Sequence, residues 1–229
     1  MTVRPVARIR TDFAGKFGVP RQSGLATELE ARIILEPDYR NPEALRGIEG
    51  YSHLWLIWQF SEAVRDTWSP TVRPPRLGGN TRMGVFATRS PFRPNALGLS
   101  SVVLRRVEWD TPEGPVLVVT GADLMDGTPL YDIKPYLPYT DSHPQATAGF
   151  AGEHTWREIP VDFSESLLCR LPENKREAAK QVLAQDPRPA YQTAQERDYG
   201  MTFAGYNIRF CVRDGVLTVT DVKKEEASR

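Results

Sequence analysis

Between residues 6 and 133 the sequence supplies a series of short apolar runs, and no helical pattern of ten to fifteen residues separates one from the next. Parallel strands need such crossovers, so a doubly wound nucleotide-binding fold is disfavoured and a mostly antiparallel, closed sheet is expected. The runs fall at residues 6–9, 29–35, 54–58, 97–107, 115–120 and 131–133. In the second, Leu29, Ala31, Ile33 and Leu35 keep a period of two. The third, Leu54-Trp55-Leu56-Ile57-Trp58, is continuous and predicts a strand buried on both faces. Residues 41–47 read as a short helix, with Asn41 as its cap, Pro42 at its first position and Gly47 past its end.

A polar, small-residue stretch from 140 to 152 divides the chain into two parts, a β-barrel domain over residues 1–145 and a small α+β domain over 146–229. The second part predicts a strand at 156–163, a helix capped by Ser164 running to about 171, and a turn or two of helix at 175–184. Residues 186–191 make a stiff loop. Tyr206, Ile208, Phe210 and Val212 alternate with polar residues, and Asp214-Gly215 turns them into a hairpin. The fold class expected is mainly β, with a frayed tail over 223–229.

The formal net charge is zero, yet it is unevenly placed. From 67 to 107 there is no Asp or Glu, while Arg73, Arg76, Arg82, Arg89, Arg93, Arg105 and Arg106 all fall there. Such a block is the footprint of a surface that meets a polyanion or an anionic cofactor. Arg89 and Arg93 sit in a loop pinned by Pro91 and Pro94, where a planar guanidinium loses little freedom on gripping phosphate, carboxylate or a base. Cys169 and Cys211 lack metal-ligand spacing and read as buried free thiols, and His53, His143 and His154 form no zinc pattern. No apolar run approaches a membrane span and the first residues lack a signal-peptide core, so a cytoplasmic protein without a metal is expected.

No dinucleotide fingerprint, P-loop or nucleophile elbow is present. Three loops carry polar groups that can converge: Pro20-Arg21-Gln22; Arg89, Arg93 and Asn95; and 123–132 with Lys134 and Tyr136. Each has a plainer reading. Arg21-Gln22 and Asp126-Gly127-Thr128-Pro129 can be surface turns, Lys134 a solvated lysine, and His53 a satisfied core histidine. From the residues alone the surface serves an enzyme or a non-catalytic RNA-binding module equally well; a nucleotide hydrolase lacks a visible nucleophile or metal set.

Five blocks carry a resemblance: PRQSGL (20–25), GYSHLW (50–55), RPPRLGGNTRMGVFATRSPFRPNALG (73–98), DGTPLYDIKPYLPY (126–139) and DPRPAY (186–191). Together they resemble the TsaA or TrmO family, the tRNA N6-threonylcarbamoyladenosine N6-methyltransferases. Ser23 stands where that family usually has proline, and Ala96 where it often has a second proline after Pro94-Asn95. The resemblance implies a single-sheeted β-barrel that binds S-adenosylmethionine, a homodimer with the cofactor near the subunit interface, and a C-terminal domain that helps hold tRNA. The substrate implied is the threonylcarbamoyl-adenosine beside the anticodon of threonine tRNAs, methylated at N6.

It also implies residue roles. Pro20, Arg21, Gln22, Ser61, Glu62, Arg89, Ser101, Leu124, Met125, Asp126, Gly127 and Thr128 would bind the cofactor, with Arg21 or Arg89 on its carboxylate and the 124–128 backbone framing adenine. A ureido nitrogen is a poor nucleophile, so its proton must be withdrawn or the nitrogen aligned. Asp132, Lys134, Tyr136 and Asn95 are the catalytic candidates. Arg93 or Lys134 would meet the threonyl carboxylate. Arg73, Arg76, Arg93, Arg188 and Tyr191 would hold RNA through phosphate contacts and stacking.

Overall fold

The computed structural model describes residues 2–153, 157–188 and 197–225. Its first part holds eight strands, β1 (Ala7–Arg10), β2 (Glu30–Leu35), β3 (His53–Gln59), β4 (Thr71–Val72), β5 (Met83–Gly84), β6 (Leu97–Glu108), β7 (Val116–Thr120) and β8 (Pro129–Pro135). Six of them close into a barrel in the order β1-β2-β7-β6-β3-β8, every pairing antiparallel. The expected closed sheet is therefore the one formed. β4 and β5 pair only with each other, inside the acid-free arginine block.

Helices α1 (Pro138–Asp141) and α2 (Phe150–Glu153) interrupt the polar divider. Beyond them come β9 (Val161–Asp162), α3 (Glu165–Leu168), α4 (Glu173–Ala184), β10 (Tyr199–Phe203), β11 (Tyr206–Arg213) and β12 (Val216–Lys224). The second sheet runs β10-β11-β12-β9, with β9 parallel to β12. Asp214 and Gly215 take φ of 48° and 79°, the left-handed pair that a tight hairpin needs.

Several sequence expectations need correction. β3 is buried on one face only: Leu54, Leu56 and Trp58 point into the barrel, while Trp55 and Ile57 lie half-buried on its outer wall. The strand covered on both faces is β7, all five residues of which are buried. Its outward Val118 is flanked by Arg32 and Arg106, whose stems shield it. Those arginines pair with Glu30 and Glu108, and Arg105 lies 4.0 Å from Glu28. Arg105 and Arg106 thus leave the basic block, because acids distant in sequence neutralise them on the barrel wall.

In the second part, strand β9 covers only two of the residues expected, and Trp156 and His154 lie outside the described ones. Ser164 ends α3 through its carbonyl, which accepts from Leu167 and Leu168, not through its hydroxyl. α4 is longer than expected and buries Ala178, Ala179, Val182 and Leu183. Cys211 is buried as expected, but Cys169 is exposed, one turn from Glu165, whose carboxylate accepts from its thiol.

Two apolar cores form, one inside the barrel and one under the second sheet. Phe13, Ala26 and Leu29, from the β1–β2 connection, belong to the second. The half-buried ion pair Lys175–Asp12, at 2.7 Å, ties the same connection to α4. Residues 20–25 are thereby held between the two parts.

Candidate active site

At one end of the barrel three loops meet. Gly24 N–H donates to the Gly121 carbonyl at 2.9 Å, and a Cβ on Gly121 would lie 3.3 Å from the Gly24 backbone. This close approach sets the 20–25 loop against the loop between β7 and β8. The third loop, 84–98, reaches the same place through Arg89, which donates to Gln22 Oε1. Gln22 in turn donates to the Arg21 carbonyl.

Beneath them lies a polar relay. Trp58 Nε1 donates to Ser100 Oγ at 2.9 Å, and Ser100 Oγ donates to Asp123 Oδ1 at 2.6 Å. Gly98 faces Trp58 across β3 and β6, and a Cβ there would fall 2.3 Å from the indole. Trp58 can lie over this position only because it is glycine. Burial pushes the Asp123 carboxyl above the ordinary carboxylate range, while the Ser100 hydroxyl, the Arg89 charge and the Ser23 backbone N–H pull it back. Gly98→Ala must displace the indole, and we expect it to cost about 1–3 kcal/mol of stability, the range for overpacking, as read by chemical denaturation.

The other expected cofactor residues divide. Pro20, Leu124 and Thr128 are buried, and the Thr128 hydroxyl donates to the Met125 carbonyl. The Asp126 side chain pairs with Arg10 at 3.1 Å and accepts from Thr11 N–H, and its backbone N–H donates to the Phe13 carbonyl at 2.8 Å. Gly127, at φ 74°, has open space where a Cβ would stand. Arg21 faces the second part, donating to the carbonyls of Asp186 and Arg188. Ser61 is exposed, and Glu62 pairs with Lys16 at 3.0 Å. Ser101 is not brought to the cluster. It pairs with Trp55 on the outer wall, and its neighbour Ser100 is the one that points inward.

The catalytic candidates form a second cluster on that outer wall. Lys134 Nζ lies 2.8 Å from Asp132 Oδ2, and Asp132 Oδ1 accepts from Ile133 N–H. They stand opposite Trp55 and Ile57, beside an open cleft of about 310 Å³ lined also by Leu99, Thr140, Asp141 and His143. Asp141 accepts from Leu137 N–H and Trp55 Nε1, which hold its carboxyl below the usual range. Tyr136 packs its ring against Trp55 and His53, and His53 Nδ1 lies 2.9 Å from Ser52 Oγ. Asn95 is exposed in its loop, apart from this cluster's contacts. Lys134 is six residues on from Thr128, about 20 Å along an extended strand.

Of the expected RNA contacts, Arg93 is half-buried and donates to the Thr88 carbonyl, and Arg73 is exposed. Only the backbone of Arg76 is described, and Tyr191 lies outside the described residues. Arg188 makes a two-pronged pair with Asp186, at 2.8 Å on both prongs, and this raises its pKa further. Its charge is matched within its own loop. Sequence reading missed the aromatic side chains beside the arginines. Trp68 and Phe86 are exposed with ring centroids 6.2 Å apart, and Arg65 stacks 3.7 Å over the Phe92 ring.

Known proteins are similar to this chain in sequence and in fold. The tRNA-methyltransferase O N-terminal domain model matches residues 8–142, and the TrmO C-terminal domain model matches 157–225. The chain belongs to the tRNA-methyltransferase O family. An Escherichia coli K12 protein named tRNA (adenine(37)-N6)-methyltransferase is 43% identical over 92% of this chain and 93% of its own length. A Pseudomonas aeruginosa protein, RcsF, provisionally named an S-adenosylmethionine-dependent methyltransferase, is 40% identical over 96% of this chain and 97% of its own. A crystal structure of TrmO from Pseudomonas aeruginosa superposes with a TM-score of 0.78 at 35% identity, covering 98% of this chain and 97% of that one. Among the described residues no helix is long and apolar enough to cross a membrane, and no group of three or more His, Cys, Asp or Glu is placed to hold a metal ion.

Proposed function

We propose that this chain transfers a methyl group from S-adenosylmethionine to N6 of threonylcarbamoyl-adenosine at tRNA position 37, in threonine tRNAs. The observation that carries the proposal is the convergence of Gln22, Arg89 and Asp123, from three loops, at one barrel end in a member of this family. The donor set fits the cofactor. Arg89 suits its carboxylate. The bare backbone at Gly24 and Gly127 leaves room for a flat adenine. When bound, the cofactor supplies an electrophilic methyl group.

The outer-wall pair suits the rest of the chemistry. Asp132 has both oxygens engaged, one by Ile133 N–H and one by Lys134. A threonyl carboxylate competes with Asp132 for the Lys134 ammonium. Lys134 turning to that carboxylate leaves Asp132 Oδ2 able to accept the N6 proton as the N6–methyl bond forms. Unmodified adenosine carries no such carboxylate and leaves the pair closed. Arg73, Arg65 over Phe92, and the exposed Trp68 and Phe86 give cations and stacking surfaces to a single-stranded anticodon loop.

Within one chain no described contact joins the cofactor end to the Asp132–Lys134 pair, and the wall beside that pair exposes Leu97 and Leu99, with Leu99 58% accessible. A site shared between two copies reconciles these facts: the cofactor loops of one chain meet the outer wall of another. Light scattering should then give twice the 25.8 kDa chain mass. At cofactor and tRNA concentrations too low to fill either parent variant, mixing and re-annealing Arg89→Ala with Lys134→Ala should restore activity, since a mixed dimer keeps one intact site. A monomer with full activity, or mixtures as inactive as their parents, would exclude the shared site.

A further inference from the structure

The site already described leaves one charged group without a role, Asp123. It is partly buried at the end of an apolar barrel, where a carboxylate is costly to keep unless it is matched. Its contacts come from every element that builds the cofactor end. Ser100 on β6 donates at 2.6 Å, Trp58 on β3 stands behind Ser100 at 2.9 Å, and Ser23 N–H reaches it from the 20–25 loop. Arg89 is the charged side chain that acts on it, at longer range than a direct ion pair. Arg89 itself is exposed, and its described side-chain partner is the neutral Gln22. A long side chain at a rim, held by one neutral amide, keeps its rotamer freedom unless a fixed charge beneath it narrows the choice.

We propose that Asp123, locked by the Trp58–Ser100 relay, is the positioning residue of the cofactor site: its fixed charge sets the Arg89 guanidinium over the 20–25 loop, ready to receive the cofactor carboxylate. This rests on the cofactor reading above. The relay has a reason to exist on this account. Ser100 and Trp58 hold the carboxylate in one rotamer, and Gly98 leaves room for the indole that anchors Ser100.

Asp123→Asn keeps the shape and the acceptor for Ser100 but removes the charge. Because burial raises the Asp123 pKa, the native state holds that proton more tightly than the unfolded chain. The stability this gives is present below the ordinary carboxylate range and is lost as pH rises through the raised value. At neutral pH the asparagine variant should therefore melt no lower than the wild type. S-adenosylmethionine affinity, by calorimetry, should nevertheless fall about tenfold or more. In the wild type, affinity should weaken as pH is lowered through the Asp123 titration, and in the variant it should be flat over that window. Since Asp123 acts through Arg89, Asp123→Asn should add almost nothing in an Arg89→Ala background. Unchanged affinity in Asp123→Asn overturns the proposal, as does a full additive loss in the double variant, which would mean that Asp123 acts on the cofactor independently of Arg89. A wild type that fails to bind S-adenosylmethionine at any pH overturns the cofactor reading itself.

Discussion

Asp132→Asn should lower turnover at saturating tRNA and cofactor by about 10²- to 10⁴-fold, the range for losing a general base. The change leaves the Ile133 N–H with an acceptor, so β8 should keep its course, and affinity for modified tRNA should stay within a few-fold. A loss in turnover with binding intact is the signature of an interaction made in the transition state. Lys134→Met should behave differently. It removes the proposed partner of the threonyl carboxylate, so it should weaken modified tRNA more than unmodified tRNA. If Asp132→Asn turns over normally, Asp132 is not the base.

Arg89→Ala should weaken S-adenosylmethionine binding by about 1.5–3 kcal/mol, the range for a hydrogen bond to a charged group. That corresponds to about a 10- to 150-fold rise in Kd. Arg89 is exposed and its described side-chain contact is with Gln22, so stability should change little. Arg21→Ala should show the reverse balance. Its guanidinium bonds the carbonyls at 186 and 188, and its loss should loosen the seam between the two parts before it touches cofactor affinity. Equal cofactor affinity in wild type and Arg89→Ala would take Arg89 out of the site.

The barrel was legible because apolar runs of strand length are separated by turns that carry Gly and Pro; all six of its runs fall within two residues of the observed strands. β10 escaped notice although Tyr199, Met201 and Phe203 keep a period of two, because it is only five residues long and carries Gly200, which weakens a strand signal. The part played by Phe13, Ala26 and Leu29 in the second core was also invisible, since a loop has no periodicity to announce what it packs against. The same limit explains the arginine block. Counting acids along the chain isolates Arg105 and Arg106, but the barrel brings Glu28 and Glu30 across to them. In the candidate site, Gln22 and Arg89 were legible as members of loop blocks that the fold brings together. The Trp58–Ser100–Asp123 relay was not, because its members come from three separate segments and meet only when β3 and β6 pair and the 121–128 loop closes over them.

The proposed substrate is threonylcarbamoyl-adenosine, whose carboxylate would open the Asp132–Lys134 pair. Single-turnover methyl transfer from labelled S-adenosylmethionine, with enzyme in excess over threonine tRNA that either carries or lacks the threonylcarbamoyl group, tests it most directly. Rapid labelling at N6 of adenosine 37 is expected in the modified tRNA, and almost none in the unmodified tRNA. Equal rates on the two tRNAs would contradict the proposal.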